Sequence, residues 1–130
     1  MIGVGDLRLG DIVQTKIMGE NKLGTVSGIA IGTSRIFLQI SDICNFVDTL
    51  LTEIEGVLLT TEILEKNRWF SSAKLPFCYT HNDHRLEVVI DPNSEWKYAI
   101  KGNETLRKVK YVHELQHILW ALGLNTEIKV

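Results

Sequence analysis

Apolar residues recur with the 3.6-residue period of a helix near the end of the chain, between Tyr111 and Leu122. His113 and His117 fall on the opposite face, with Trp120 beside them, so these three side chains are expected outside the helix core. They should face solvent, another part of the chain or a partner. Gly123 follows at the position where a left-handed residue commonly ends a helix. The apolar residues share one broad face, which predicts a core-facing stripe: Tyr111, Val112, Leu115, Ile118, Leu119 and Leu122.

Shorter apolar runs, several with the alternation of strands, fill most of the remaining chain. Residues 7 to 55 read as short strands separated by turns such as Gly19-Glu20-Asn21-Lys22. Residues 41 to 58 are interpreted as the last strands of this unit, with a helix start as the alternative. A short helix is predicted from Thr60, its N-cap, to Asn67. Residues 69 to 109 are predicted to form a strand meander.

The opening Leu7-Arg8-Leu9-Gly10-Asp11-Ile12-Val13, a turn, and then a Gly-x-Val-x-x-Ile segment are typical of small SH3-like barrels. The sequence therefore predicts an α+β fold. An N-terminal SH3-like β-barrel, residues 1–58, would pack on a C-terminal antiparallel sheet with one long terminal helix, residues 59–130. Gly24, Gly28 and Gly32 are expected at bends, not in a phosphate loop, because no Lys-Ser or Lys-Thr follows them.

Composition restricts the function classes. The chain has 130 residues, 45% hydrophobic and 23% charged, which is typical of a soluble globular protein that needs neither metal nor disulfide to fold. A net charge of −2 argues against general nucleic-acid binding but permits a local site for a small anionic ligand. Cys44 and Cys78 are isolated and are expected as free buried thiols, with one disulfide between them as the alternative. The chain shows neither a signal-peptide pattern nor a membrane-span-length apolar run, so a cytoplasmic location is expected.

The string His113-Glu114-Leu115-Gln116-His117 matches H-E-x-x-H, in which two imidazoles bind zinc and the Glu acts as general base. A catalytic zinc needs a third protein ligand. Among the thirteen residues after His117 only Glu127 is suitable, and the upstream pair His81 and His84 would give an unusual order. We therefore expect no metal or cofactor, and keep a metal site at His113 and His117 as the alternative.

The same stretch carries a resemblance. Tyr111-Val112-His113, then Leu115-Gln116 and an aromatic-containing helix ending in Ala-Leu, resembles the C-terminus of small uncharacterised proteins of bacteria, prophages and phages. The Leu-x-x-Gly-Asp-x-Val opening and residues 59 to 67 match more loosely. In that group Gln and Asn stand in place of Glu114 and His117. The resemblance implies a structural helix and a mobile-element source, but no activity.

Aromatic and basic residues concentrate in the C-terminal part. Most of the aromatic residues, including Trp69 and Tyr79, are expected in the core. Trp120 is the exception, because a large aromatic on the far helix face usually packs on another element, a second subunit or a ligand. His81 and His84, separated by Asn-Asp, indicate a solvated turn. No catalytic residue is predicted, and the expected ligand-binding or interface residues are Trp120, His113, His117, Trp96, Tyr98, Arg85 and Lys97.

Three functions from different classes fit these observations. The favoured one is a non-enzymatic, homo-oligomeric binding protein of phage or mobile-element type. It would sequester a small anionic ligand, such as a nucleotide-derived host defence signal, in the cytoplasm of the host. The second is a protein–protein adaptor built on the SH3-like barrel. The third is a zinc-dependent hydrolase that uses His113, Glu114 and His117.

Overall fold

The chain divides into two compact units, Met1–Val57 and Leu58–Val130, and each is described separately below. The sequence boundary was predicted one residue later, between residues 58 and 59. Strands and helices together give an α+β chain. The computed structural model describes residues 7–30, 35–40, 45–50, 53–81, 84–90, 97–101 and 104–130.

The N-terminal unit is a curled sheet of five antiparallel strands in the order β4-β3-β2-β1-β5. The strands are β1 (Ile12–Ile17), β2 (Glu20–Ala30), β3 (Arg35–Ile40), β4 (Asn45–Leu50) and β5 (Ile54–Gly56). The strand interpretation of residues 41 to 58 is confirmed for β4 and β5. Alternate residues of the strands point inward, as β3 illustrates with its strict exposed–buried alternation. The core contains Leu7, Val13, Val26, Ile36, Leu38, Ile40 and Ile54.

The β1–β2 hairpin turns at Met18 and Gly19, whose φ angles are 52° and 82°. Positive φ at both central residues is the type I′ geometry, whose twist matches that of the flanking strands. The predicted turn through Lys22 is therefore wrong, because residues 20 to 22 already pair with β1. Met18 is 99% exposed and occupies a conformation that usually selects Asn or Gly.

The Leu-x-x-Gly-Asp-x-Val segment at the start of the chain binds the backbone of β2. Gly10 has a φ of 91°, and its N–H donates to the Val26 carbonyl at 2.8 Å. The Asp11 carboxylate is buried and accepts from the Arg8 N–H at 2.8 Å. The turn therefore explains both residues of the motif: Gly10 adopts the positive φ, and the Asp11 side chain binds the Arg8 N–H.

The predicted bend glycines have different roles. Gly28 lies at a register shift between Val26 and Gly28, and an irregularity of this kind bends a strand, as predicted for this glycine. Gly24 pairs regularly on both sides, so its prediction as a bend is wrong. A Cβ there would lie 3.0 Å from Ile40 Cδ1, so close packing explains the glycine. Gly32 lies outside the described residues.

The C-terminal unit contains a five-stranded antiparallel sheet in the order β10-β9-β8-β7-β6, so the predicted meander is confirmed. Trp69 and Tyr79 are buried, as predicted. Trp96 and the Tyr98 side chain lie outside the described residues. The elements are α1 (Thr61–Lys66), β6 (Trp69–Phe70), β7 (Cys78–His81), β8 (His84–Ile90), β9 (Lys97–Lys101), β10 (Glu104–Val109) and α2 (Val112–Ala121).

Both helices begin and end where the sequence predicts. Thr60 Oγ1 caps α1 by accepting from the Ile63 N–H at 3.2 Å, and Asn67 is its C-cap. After α2, Gly123 has a φ of 71°, and the Leu124 N–H donates to the Leu119 carbonyl at 2.8 Å, as in a Schellman motif. No helix in the described part of the chain has the length and apolar character needed to span a membrane.

Candidate functional site

In the first turns of helix α2, residues outside the apolar stripe are buried in addition to the stripe itself. His113 and Gln116 are each only 4% exposed, although the sequence places both off the stripe. Of the three surroundings predicted for His113, which were solvent, another part of the chain and a partner, its burial excludes solvent. Its imidazole lies nearly parallel to the Tyr111 ring, with centroids 5.7 Å apart, and meets the edge of the His117 ring at 5.6 Å. Local ring packing thus covers an imidazole that the periodicity assigned to the polar face.

Trp120 occupies the position that the helical period predicts. Its side chain is 61% exposed, whereas Ile118 and Leu119 on the apolar stripe are buried. His117, one turn earlier, is half-buried. The last turn of α2 therefore presents a large indole surface, and the first turn does not.

Glu114 has a structural role in this helix. Its Oε1 accepts from the backbone N–H groups of Lys110 and Tyr111, both at 2.9 Å, and its Oε2 accepts from Arg107 Nη2 at 2.8 Å. The carboxylate thus caps the start of α2 and forms an ion pair. Among the described residues, no group of three or more His, Cys, Asp or Glu side chains is placed to hold a metal ion. Helix capping and ring packing therefore account for Glu114 and His113 in the H-E-x-x-H string.

The other predicted ligand residues do not form one described site. Lys97 lies on β9 opposite Ile90 and Val109, where burial lowers the pKa of its amine below the ordinary 10.5. The Arg85 side chain lies outside the described residues, as do Trp96 and the Tyr98 side chain. The structure thus brings His113 and His117 together on α2, while Lys97 belongs to a separate element.

A cavity of about 270 Å³ lies elsewhere in the C-terminal unit. It lies beside the end of α1, and the segment after α2 supplies part of its wall. None of the residues predicted to bind ligand lines it. The lining residues are Asn67, Arg68, Trp69, His81, Leu119, Asn125, Glu127 and Ile128.

One wall of this cavity is an aromatic pair. Trp69 and His81 are cross-strand partners of β6 and β7, and their ring centroids lie 5.5 Å apart at an interplanar angle of 60°. His81 and His84 are antiparallel partners of β7 and β8, as expected for residues that flank a hairpin turn, but His81 is half-buried and not solvated as predicted. His81 is half-buried because the strand register places it directly opposite Trp69. The His84 side chain lies outside the described residues.

The charged groups of the cavity are available. Within the described part of the chain, the Arg68 guanidinium forms no ion pair and no hydrogen bond, and Arg68 is one of the residues that line the cavity together with Glu127. The Glu127 backbone N–H donates to Asn125 Oδ1 at 2.9 Å, so two of the lining residues contact each other. Because Arg68 and Glu127 do not pair with each other, each of them can bind a group of opposite charge or a hydrogen-bonding group of a ligand.

Arg68 is held in a conformation that its residue type disfavours. It follows the C-cap of α1 with a φ of 67°, the left-handed position where glycine is usual. For a residue with a Cβ this conformation costs about 1–2 kcal/mol. Strain of this kind is concentrated at functional sites. Sequence analysis missed Arg68, although a helix stop at Asn67 without a following glycine was a detectable signal.

A second hollow of about 360 Å³ lies in the N-terminal unit, lined by Gln14, Thr15, Lys16, Asn21, Glu53 and Glu55. Several of its polar groups already join the strands. Gln14 Nε2 donates to the Gly56 carbonyl at 3.0 Å, and Thr15 Oγ1 donates to the Glu53 carbonyl at 3.1 Å. None of its described lining residues is aromatic, so the cavity in the C-terminal unit is the better ligand site.

Cys78 is a free thiol, as predicted, whereas Cys44 lies outside the described residues. Burial raises the pKa of the Cys78 thiol above its ordinary 9.0, and the hydrogen bond and negative charge of Glu87 raise it further. The sulfur lies 3.4 Å from Glu87 Oε2. The thiol is therefore protonated at neutral pH and is a poor nucleophile.

No family model, no curated protein and no solved structure matches this chain. The candidate site is therefore identified by its geometry and chemistry alone.

Proposed function

We propose that the protein is a non-enzymatic binding protein whose C-terminal cavity takes a small anionic ligand of the nucleotide class. The observation that carries this proposal is Arg68, an exposed residue that lines the cavity, forms no ion pair within the described residues and has a left-handed backbone. A planar guanidinium suits phosphate and carboxylate groups because it donates two parallel hydrogen bonds.

The remaining lining residues narrow the ligand class. Glu127 accepts hydrogen bonds, so the ligand should carry a donor group in addition to its anionic group. Asn125 can donate or accept. The Trp69–His81 pair supplies an aromatic wall. A nucleoside monophosphate with an exocyclic amino group has these features, and a cavity of about 270 Å³ suits a ligand of that size or smaller.

Calorimetric titration tests this proposal. Adenosine monophosphate and inorganic phosphate are titrated into the wild-type protein, Arg68→Ala and Lys74→Ala. Loss of a charge-assisted hydrogen bond should weaken monophosphate binding about tenfold or more in Arg68→Ala. Lys74 is exposed and does not line the cavity, so Lys74→Ala controls for the change in net charge. Equal affinity in all three proteins would exclude Arg68 as the anion-binding group.

The biological setting follows from the sequence resemblance. We infer a protein of phage or mobile-element type that acts in the host cytoplasm and sequesters a nucleotide-derived host defence signal. We also infer a homo-oligomer with Trp120 in the contact, because its 61% exposed indole is a large apolar surface at the end of α2. A symmetric dimer is the commonest way to cover such a surface.

A second candidate function concerns the N-terminal unit. Its curled five-stranded sheet is compatible with an SH3-like barrel that serves as a protein–protein adaptor. The exposed Phe37 ring favours this function because it lies over Gly28 on the solvent-facing side of β3, where a peptide side chain could pack. Binding of an extended-peptide library to the wild-type protein but not to Phe37→Ser would support the adaptor. Equal binding of the library to the wild-type protein and to Phe37→Ser would contradict the adaptor function.

A further inference from the structure

The segment after α2, residues 124 to 130, forms part of the cavity wall through Asn125, Glu127 and Ile128. Its exposure alternates, with even-numbered residues turned inward and odd-numbered residues exposed, which is the pattern of an extended strand. Within the described stretch 104–130, however, these residues belong to no strand or helix. An extended segment without a β-ladder depends on other contacts to stay in place.

Asn67 supplies the main polar contact. Its Oδ1 accepts from the Lys129 N–H at 2.7 Å, and its Nδ2 donates to the Lys129 carbonyl at 2.6 Å. The side-chain amide thus pairs with both backbone groups of Lys129, as a neighbouring strand would. The same Nδ2 donates to the Ile63 carbonyl at 2.7 Å, so this contact is anchored on helix α1.

Two further side chains hold the segment, and one apolar residue anchors it. Gln116 Nε2 donates to the Thr126 carbonyl, and Lys66 Nζ donates to the Val130 carbonyl, both at 3.1 Å. Ile128 is 7% exposed. Gly123, with its positive φ, lies directly before the segment and provides a point about which it can turn.

We propose that residues 124 to 130 are a detachable strap that opens and closes the cavity, and that the Asn67 side chain is its latch. Side-chain bonds to an extended segment break individually, whereas a β-ladder separates cooperatively, so this wall is the one suited to move. Asn67 directly precedes Arg68, so the latch and the anion-binding group are adjacent in the chain. The inference rests on the proposed function only in naming the ligand that the strap encloses.

Trp69 reports the strap's position because it lines the cavity and is 2% exposed. The experiment uses the full chain with Trp96→Phe and Trp120→Phe, which leaves Trp69 as the sole emitter of the three tryptophans. Acrylamide quenching of Trp69 and hydrogen exchange of the Lys129 amide are measured without ligand. Asn67→Ala should increase quenching and accelerate that exchange about tenfold, since both pairing bonds are lost.

Lys129→Ala is the matched control. It changes an exposed side chain but keeps the backbone groups that Asn67 binds, so neither measurement should move. If Asn67→Ala does not fold, Ile128→Ser loosens the strap at its apolar anchor without altering α1. Unchanged quenching and exchange in the folded variants would overturn the strap.

The two proposals fail separately. If adenosine monophosphate and phosphate do not bind the wild-type protein, the proposed function fails, while the opening of the strap is still measured in the absence of ligand. If the ligand binds and the strap does not open in the variants, the proposal of a strap is wrong and the cavity is still the proposed ligand site.

Discussion

Replacing Arg68 with glycine should make the protein more stable while abolishing the nucleotide binding that we propose for the cavity. Arg68 has a φ of 67°, and its guanidinium forms no ion pair within the described residues. Glycine adopts the left-handed conformation without the steric cost, which is about 1–2 kcal/mol for other residues. The more flexible unfolded chain of the glycine variant offsets about 0.5–1 kcal/mol of this gain. The net stabilisation is then roughly 0–1.5 kcal/mol, with about 0.5–1 kcal/mol in the middle of that range.

Such a gain corresponds to a rise of roughly 2–6 °C in the thermal midpoint of a small domain. Differential scanning calorimetry measures it directly. Titration with adenosine monophosphate on the same samples should show the loss of binding. A stabilising substitution that removes binding is the expected behaviour of a strained functional residue.

Two controls separate strain from charge. Arg68→Ala removes the guanidinium but keeps a Cβ in the left-handed region, so it should lose binding without the gain in stability. Met18→Gly relieves the other positive φ outside glycine among the described residues, on an exposed turn. It should raise the midpoint and leave binding unchanged. If Arg68→Gly is no more stable than Arg68→Ala, the strain argument is refuted.

Four further predictions address the rest of the molecule. Leu115→Ala removes a side chain that is 1% exposed and should lower the free energy of unfolding by about 2–5 kcal/mol in urea titration; no change would show that α2 is peripheral. Lys97→Met should stabilise the protein at neutral pH because it removes a charge that burial penalises. This advantage should shrink as pH rises through the lowered folded pKa toward 10.5, where the folded wild type loses its proton first; a pH-independent difference would contradict the assignment. Glu87→Gln should lower the pKa of Cys78 toward 9.0 and speed its alkylation by iodoacetamide at pH 8 in a background lacking the other cysteine, whereas an equal rate would mean that Glu87 does not act on the thiol. Trp120→Asp should give a smaller species in light scattering, or abolish ligand binding, with an unchanged circular dichroism spectrum; unchanged mass and binding would leave that helix face merely solvated.

Local sequence signals predicted the elements well. The apolar period fixed α2, Thr60 marked the start of α1, and alternation identified the meander. Each of these signals lies within a few residues of the structure that it specifies, so no knowledge of tertiary contacts was needed.

The cavity could not be predicted in this way. Its walls come from segments far apart in the chain, and the bonds between Asn67 and Lys129 span 62 positions. Burial of His113 likewise depends on how the Tyr111 ring packs, which a helical wheel does not contain. The Leu-x-x-Gly-Asp-x-Val motif identified a real turn at Asp11, but a turn does not indicate a function.

The capping role of Glu114 has a consequence for recognising enzymes by short patterns. A glutamate three positions into a helix is a frequent choice because it binds the exposed N–H groups at the helix start. If a histidine directly precedes such a glutamate and a second histidine follows it by three positions, the sequence matches H-E-x-x-H even where the glutamate only caps the helix. A search that ignores where a helix begins can therefore match a glutamate that serves as a helix cap.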